Sequence, residues 1–215
     1  MTQLTFENEW MDWGQSGGLV RLGDVSVELS MGVMSFARRA DVVAGIARAV
    51  EAGESLETAV ARAGETPDEP HRGVVHHLSR GIIVIDDTAA LGADAVVDTL
   101  KTLTSLCAGS RRIIVLIGAI AFAGESDYDT LEAFGALMVR LNIAQVMAIG
   151  ARARSIFLSV GREGSWAGES QHYLDAHTAY DSARAFIGPG DVVVVMGSSS
   201  ESLFPLVDRF VEDLA

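Results

Sequence analysis

Hydrophobic residues follow two regimes along this chain, changing near residue 80. From residue 81 onward, short unalternated runs rich in Val and Ile recur at Ile82–Asp86, Arg112–Ile117, Gln145–Ile149 and Asp191–Val195, with a shorter run near His172–Leu174. Runs that are apolar at successive positions predict strands covered on both faces. Between and after them the period becomes helical. Tyr128, Leu131, Phe134, Leu137, Met138 and Leu141 form one stripe; Leu203, Phe204, Val207, Phe210 and Val211 form another. A further helix is predicted from about Asp94 to Cys107, with Val96, Val97, Leu100 and Leu103 inward. Strand–helix repetition of this kind predicts an α/β fold, a doubly wound and mostly parallel sheet over residues 81–215.

Residues 1–80 predict a small α+β unit instead. Gly18–Ser30 reads as a hairpin turning at Gly23-Asp24, with alternation in its second arm. Helices follow over Arg39–Ala52, closed by Gly53, and over Leu56–Arg62, stopped by Gly64. Thr66-Pro-Asp-Glu-Pro70 reads as a linker. Trp10 and Trp13 stand in an acidic lead ahead of the hairpin. They either cover a sheet surface, mediate self-association or lie in a disordered tail. An open sheet edge makes self-association through residues 1–35 an expectation.

Composition narrows the classes. The chain has 215 residues, 49% hydrophobic, ample for a core. A net charge of −13 argues against nucleic acid and anionic membrane partners. No apolar run approaches the roughly 18–20 residues that span a bilayer, and the acidic N-terminus lacks the basic start of a signal peptide. A cytoplasmic location is therefore expected. Cys107 is the only cysteine and falls at an apolar helix position, as core filler. Lys101 is the only lysine, on the polar side of its helix; with no Gly-Lys-Ser or Gly-Lys-Thr anywhere, a P-loop is excluded.

The candidate chemistry gathers where the first of the later strands ends. Gly81-Ile-Ile-Val-Ile-Asp-Asp-Thr88 delivers Asp86, Asp87 and Thr88 to a carboxyl edge, where open α/β sheets place ligands. The two carboxylates could hold Mg²⁺ or an amino group; alternatively, one caps the following turn while the other is solvated. A phosphorelay receiver would need a lysine ending the last strand, where Met196 stands. Gly197, Ser198 and Ser199 lead into the last helix, and backbone N–H groups there suit an anion. Ser198 and Glu201 also have capping-box spacing, which would use the same donors internally. His71, His76 and His77 cluster with Asp68 and Glu69 but match no zinc pattern, and no metal or cofactor is expected. His172 and His177, flanking Asp175, read as exposed surface.

At Ile85-Asp-Asp-Thr-Ala-Ala-Leu-Gly-Ala-Asp94 the register resembles the C-terminal domain of Mur ligases, in the type that adds D-alanyl-D-alanine to the UDP-muramoyl-tripeptide. Arg72 resembles the arginine before that family's domain junction. Val115-Leu-Ile-Gly-Ala-Ile-Ala-Phe-Ala-Gly124 and Gly190-Asp-Val-Val-Val-Val-Met-Gly-Ser-Ser199 resemble later motifs, and Gly135 and Gly150 match further glycines. The resemblance covers about residues 19–214. It implies a Rossmann-like domain over 81–215 behind a remnant of the ligases' central domain over 1–80. It also implies a ligand site at Arg72, Asp86, Asp87, Thr88, Gly197, Ser198 and Ser199.

Several polar positions of the family's motifs are changed here. Asparagines of the substrate-side motif correspond to Ala90 and Gly92, its tyrosine and proline to Ala89 and Ala93, an acidic pair to Ala119 and Ala123, and a lysine and an arginine to Met196 and Ser199. Acyl-phosphate ligation needs cationic clamps and Mg²⁺ around the transferred group. The expectation is a bacterial protein without catalytic residues of its own. It would bind an amino acid, a dipeptide or a peptidoglycan precursor, or a protein partner, in cell-wall precursor metabolism. The alternatives are the acceptor-binding part of a split or truncated ATP-dependent ligase, or a structural oligomer without ligand. The Met1 start together with the altered motifs favours evolutionary loss of the missing domains.

Overall fold

The computed structural model describes residues 3–32, 34–65, 69–90, 92–120, 128–162, 166, 168–197 and 203–215. The chain divides into two compact units, residues 1–69 and 70–215.

The first unit is a three-stranded antiparallel sheet with two helices. Its strands β1 (Leu4–Asp12), β2 (Gln15–Leu22) and β3 (Val25–Met31) lie in the order β1-β2-β3. The predicted hairpin is β2–β3, with Leu22 opposite Val25. Gly23 takes φ 61° in the two-residue turn, a conformation that favours glycine there. Helix α1 (Phe36–Glu51) begins three residues earlier than the apolar period predicts, because the Ser35 hydroxyl accepts the Arg38 N–H. Ser55 caps α2 (Leu56–Gly64) in the same way through Thr58. Val20, Leu29, Met31, Ile46, Leu56, Ala59 and Val60 form the core between sheet and helices. The acidic lead is a strand rather than a tail. A Cβ at Gly17 would lie 2.7 Å from the Trp10 ring, and one at Gly18 2.7 Å from the Phe6 ring, so each ring lies over a bare glycine backbone.

The second unit holds a six-stranded sheet in the order β4-β5-β9-β6-β7-β8. These strands are β4 (Val74–His77), β5 (Ile83–Asp87), β6 (Ile113–Ile117), β7 (Gln145–Ile149), β8 (Glu169–Tyr173) and β9 (Val192–Met196). β5, β9, β6, β7 and β8 are parallel neighbours, while β4 runs antiparallel on the β5 edge. That edge strand moves the expected boundary at residue 80 back to residue 69. Residues 74–77 belong to the second sheet because their N–H and C=O groups pair with β5.

Every residue of β5, β6, β7 and β9 is buried, as their unalternated runs require. Helices α6 (Ala176–Phe186) and α7 (Phe204–Leu214) cover one face, where Tyr180 and Phe210 pack against Ile114, Leu116, Val193 and Val195. Helix α3 (Ala93–Cys107) covers the other, with Val96, Leu100 and Leu103 fully buried. Cys107 sits in that core, its thiol pushed up to about 11 by burial, and Lys101 is exposed. At the amino edge Arg112 donates to both oxygens of buried Asp191, at 2.9 and 2.6 Å, tying β6 to the start of β9.

Helices α4 (Tyr128–Arg140) and α5 (Arg154–Val160) meet at Gly135. A Cβ there would lie 2.8 Å from the backbone C and O of Ser159. Helix propensity alone would make Gly135→Ala stabilising by about 1 kcal/mol. The backbone contact cannot rotate away, so the expected sign is the reverse. Gly135→Ala should lose about 1–3 kcal/mol in urea unfolding; a stabilised variant would refute the close approach.

Candidate functional site

Three segments of the second unit converge at the carboxyl edge of the sheet. They are the stretch before β4, the turn from β5 into α3, and the end of β9. The Ala89 N–H donates to the His71 carbonyl at 2.9 Å, and Ala90 N–H to the Gly197 carbonyl at 3.1 Å. On the other side of β9, Gly118 N–H donates to the Met196 carbonyl at 2.9 Å. β9 lies between β5 and β6, and its chain leaves toward α7 while β5 leads into α3 on the opposite face. This is the topological switch point of the sheet, the place where open α/β folds hold their ligands.

The two carboxylates at the centre are buried, each 5% exposed. Asp86 Oδ1 accepts the Thr88 N–H at 3.1 Å and the Thr88 hydroxyl at 2.7 Å, closing the turn. Its Oδ2 lies 2.7 Å from Nδ1 of His71. Asp87 turns to the α3 face, where Oδ2 accepts the Thr99 hydroxyl at 2.8 Å. Burial pushes the Asp87 carboxyl up to about 6; the Thr99 hydrogen bond, the Arg72 charge and the Gly73 N–H oppose that rise, and the Asp86 charge adds to it. Neither carboxylate is solvated: one closes the turn and the other is anchored to the helix.

Of the residues expected here, Arg72, Asp86, Asp87, Thr88 and Gly197 come together. Ser198, Ser199 and the capping-box reading at Ser198 and Glu201 fall outside the described residues. The site also recruits His71. Its Nδ1 faces Asp86, its ring stacks on Phe204 with centroids 5.1 Å apart, and its side chain remains 44% exposed. The sequence ranks it with His76 and His77, but these lie on β4. Its adjacency to Arg72 is the only local signal; the partner is 15 residues away.

Of the positions at which the resemblance implies altered motifs, Ala89, Gly92 and Ala93 are half-buried, Ala123 and Ser199 fall outside the described residues, and the other three are sealed. Ala90 is 7% exposed, Ala119 4% and Met196 0%. Gly92, just before α3, has φ 116° and ψ −174°, a region essentially restricted to glycine. Among the described residues no group of three or more His, Cys, Asp or Glu side chains could hold a metal ion. His172 is half-buried rather than exposed, because its Nε2 lies 2.9 Å from the Gly150 carbonyl. Asp175 caps α6 by accepting the Thr178 N–H at 2.9 Å.

The raised Asp87 carboxyl gives a pH signature. An unfolded aspartate titrates at 3.8, so the folded chain holds the extra proton between there and about 6. The stability it contributes is fully present below the unfolded value and is lost as pH rises through about 6. Asp87→Asn keeps an acceptor for Thr99 and removes the titration. Its stability relative to the parent should improve by about 2–3 kcal/mol between about pH 4 and pH 7 in urea unfolding. A difference that is flat with pH would show that Asp87 ionises normally.

Comparison with known proteins places the second unit in a family. The family model of the Mur ligase glutamate ligase domain matches residues 71–199. The UDP-N-acetylmuramoyl-tripeptide–D-alanyl-D-alanine ligase of Mycobacterium leprae is 31% identical over 203 residues, covering 87% of this chain and 39% of that protein. The Mycobacterium tuberculosis H37Rv protein of the same name is 28% identical over 207 residues, covering 88% and 41%. The chain thus spans about two fifths of the length of these relatives. Among solved structures, MurF from Acinetobacter baumannii aligns with a TM-score of 0.76 at 15% identity, over 97% of this chain and 45% of that one. MurF from Thermotoga maritima, solved in complex with ADP, aligns with a TM-score of 0.72 at 15% identity, over 98% and 46%. At such identities these two show the fold. The family match takes in more than half of the chain and runs from His71 through the switch point to the end of β9, and the chain belongs to the Mur ligase family.

Proposed function

We propose that this protein binds a small ligand of cell-wall precursor metabolism (an amino acid, a dipeptide or a peptidoglycan precursor) or a protein partner there, and catalyses no ligation of its own. The observation that carries this reading is the contrast at the carboxyl edge. The turn after β5 is in place, with Asp86, Thr88 and His71 hydrogen-bonded to one another. The positions that resembling ligases fill with polar or cationic groups instead hold buried Ala90, Ala119 and Met196. A phosphoryl-transfer site needs those cations at the reacting oxygens, and Lys101 is exposed on α3.

Residues 1–69 represent, on this proposal, a remnant of the ligases' central domain. The alignment over 97–98% of the chain, which takes in both units, supports that origin. The 31% identity with the M. leprae ligase favours one second reading, the acceptor-binding part of a split ligase. Self-association through residues 1–35 is part of the proposal, because among the described residues β1 pairs on one side only. A cytoplasmic location also remains a proposal; among the described residues no helix is long and apolar enough to cross a membrane.

The test is a thermal-shift and phosphate-release panel with ATP·Mg²⁺, D-alanyl-D-alanine, single amino acids and UDP-muramoyl peptides. A ligand at about 100 times its Kd should add about 2.7 kcal/mol of stability. The expected outcome is a shift with dipeptide or muramoyl peptide and no phosphate release from ATP. Phosphate release in the presence of all substrates would overturn the non-catalytic reading. Silence across the panel would remove the small-ligand reading and leave the protein partner.

A further inference from the structure

We propose that the cavity across the amino ends of β6, β7 and β8 binds a small organic anion, whose carboxylate or phosphate oxygens are held by Arg111, Arg140 and the Gln145 amide. It lies at the end of the sheet opposite Asp86 and Asp87, so the inference stands apart from the function proposed above. Five-residue strands separate the two ends by about 17 Å.

Three observations carry it. The first is the cavity itself. It measures about 600 Å³, within the range of small-molecule sites. It runs from the end of α3, past the turn between α4 and β7, to the end of α6. The second is its charge. The chain carries 29 acidic against 16 basic side chains, yet Arg111, Arg112 and Arg140 line this cavity beside one carboxylate, Glu169. Arg112 is committed: it donates to both oxygens of Asp191, and its guanidinium lies 4.9 Å from the Phe186 ring centroid. Arg111 is braced by donating to the Gly81 carbonyl at 3.0 Å. Arg140 is exposed, and none of the ion pairs among the described residues includes it.

The third observation is Gln145. Strands β5, β6 and β9 open on Ile83, Ile113 and Val192, but β7 opens on a glutamine. Gln145 is 1% exposed and lines the cavity, and among the described residues its Nε2 has no hydrogen-bond partner. A buried amide donor left unpaired is unfavourable, and an oxyanion in the cavity would accept from it. Guanidinium groups suit the same ligand, because their planar N–H fork matches two oxygens at once. The Phe186 ring, 37% exposed at the end of α6, offers the ligand's carbon body an apolar wall. Binding of this kind makes and breaks no covalent bond.

The test titrates the full chain with inorganic phosphate and with succinate, each against sodium chloride at equal ionic strength, by thermal shift and amide NMR. The expected result is a rise in Tm beyond the chloride control with at least one of the two anions, and movement of the Gln145 side-chain amide signals. A response to phosphate alone identifies a phosphate-bearing ligand, and one to succinate alone a carboxylate. Arg140→Gln changes an exposed residue and Gln145→Leu keeps the side chain's bulk, so both should fold. Each should weaken binding at least about fivefold. Without anion, Gln145→Leu should melt no lower than the parent, since it removes an unpaired donor. Arg140 also stands in the last turn of α4, where a cation complements the helix's carbonyl end. If that were its whole role, Arg140→Gln would lower Tm and leave anion affinity unchanged, which overturns the proposal. A response no larger than that to chloride, or signals that move at Thr88 and Gly197 instead of Gln145, would also overturn it. Either failure leaves the proposed function standing.

Discussion

The second unit is organised around the burial of two adjacent carboxylates at the end of β5. Moving either into a weakly polarisable interior is unfavourable unless donors replace the lost water, and neighbouring like charges add to the cost. The surrounding chain supplies those donors from three directions. Thr88 reaches back from the turn, Thr99 reaches up from α3, and His71 approaches from the segment before β4. The left-handed backbone at His71 and Gly73 follows from bringing that segment over the strand end. The compensation is unequal. Asp86 has acceptors matched to donors on both oxygens, whereas the Asp87 carboxyl is still pushed up to about 6.

That arrangement is possible because the strands beneath it are rigid. β5, β9 and β6 are buried along their whole lengths, and their registers align Asp87 with Met196 and Met196 with Ile117. Strand ends fixed in this way place Gly197 and Gly118 against one another, and the Leu203 side chain lies over both. A Cβ at Gly118 would lie 2.8 Å from the Leu203 side chain. The hydrophobic pattern thus determines the position of the site, and polar residues at the strand ends determine its chemistry.

How far sequence reaches follows from that division. The buried parallel strands were legible because both faces are covered and each reads as a continuous apolar run. Ile83–Asp87, Gln145–Ile149 and Val192–Met196 lie within a residue of expectation. Of the two helices with Ser caps, α2 starts at Leu56 as expected, whereas α1 starts three residues early, at Phe36. Two of the four edge strands, β1 and β4, were not legible. β4 is a four-residue edge strand carrying His76 and His77, and β1 carries polar residues on a bulged path, so neither gives a clean two-residue period. In the site, Asp86, Asp87, Thr88 and Gly197 could be read because they directly follow strand runs. His71 could not, since its role depends on a partner 15 residues away across an antiparallel turn. The same limit hid the buried state of the carboxylates. A pair of aspartates at a strand end reads as open to solvent until the donors that cover it are placed.

The residues at the positions where the resemblance implies altered motifs are fitted to their surroundings. Gly92 adopts a backbone conformation that an asparagine would enter only under strain of about 1–3 kcal/mol. Met196 is fully enclosed beside β5 and β6, and a lysine there would have to bury its ammonium or leave the core. Ala90, with its N–H committed to Gly197, sits in a closed turn. Polar or charged substitutions at Gly92, Met196 or Ala90 would thus meet a backbone and a core fitted to the present residues. The half-exposed imidazole of His71 at the same strand end faces no such constraint on its outer edge.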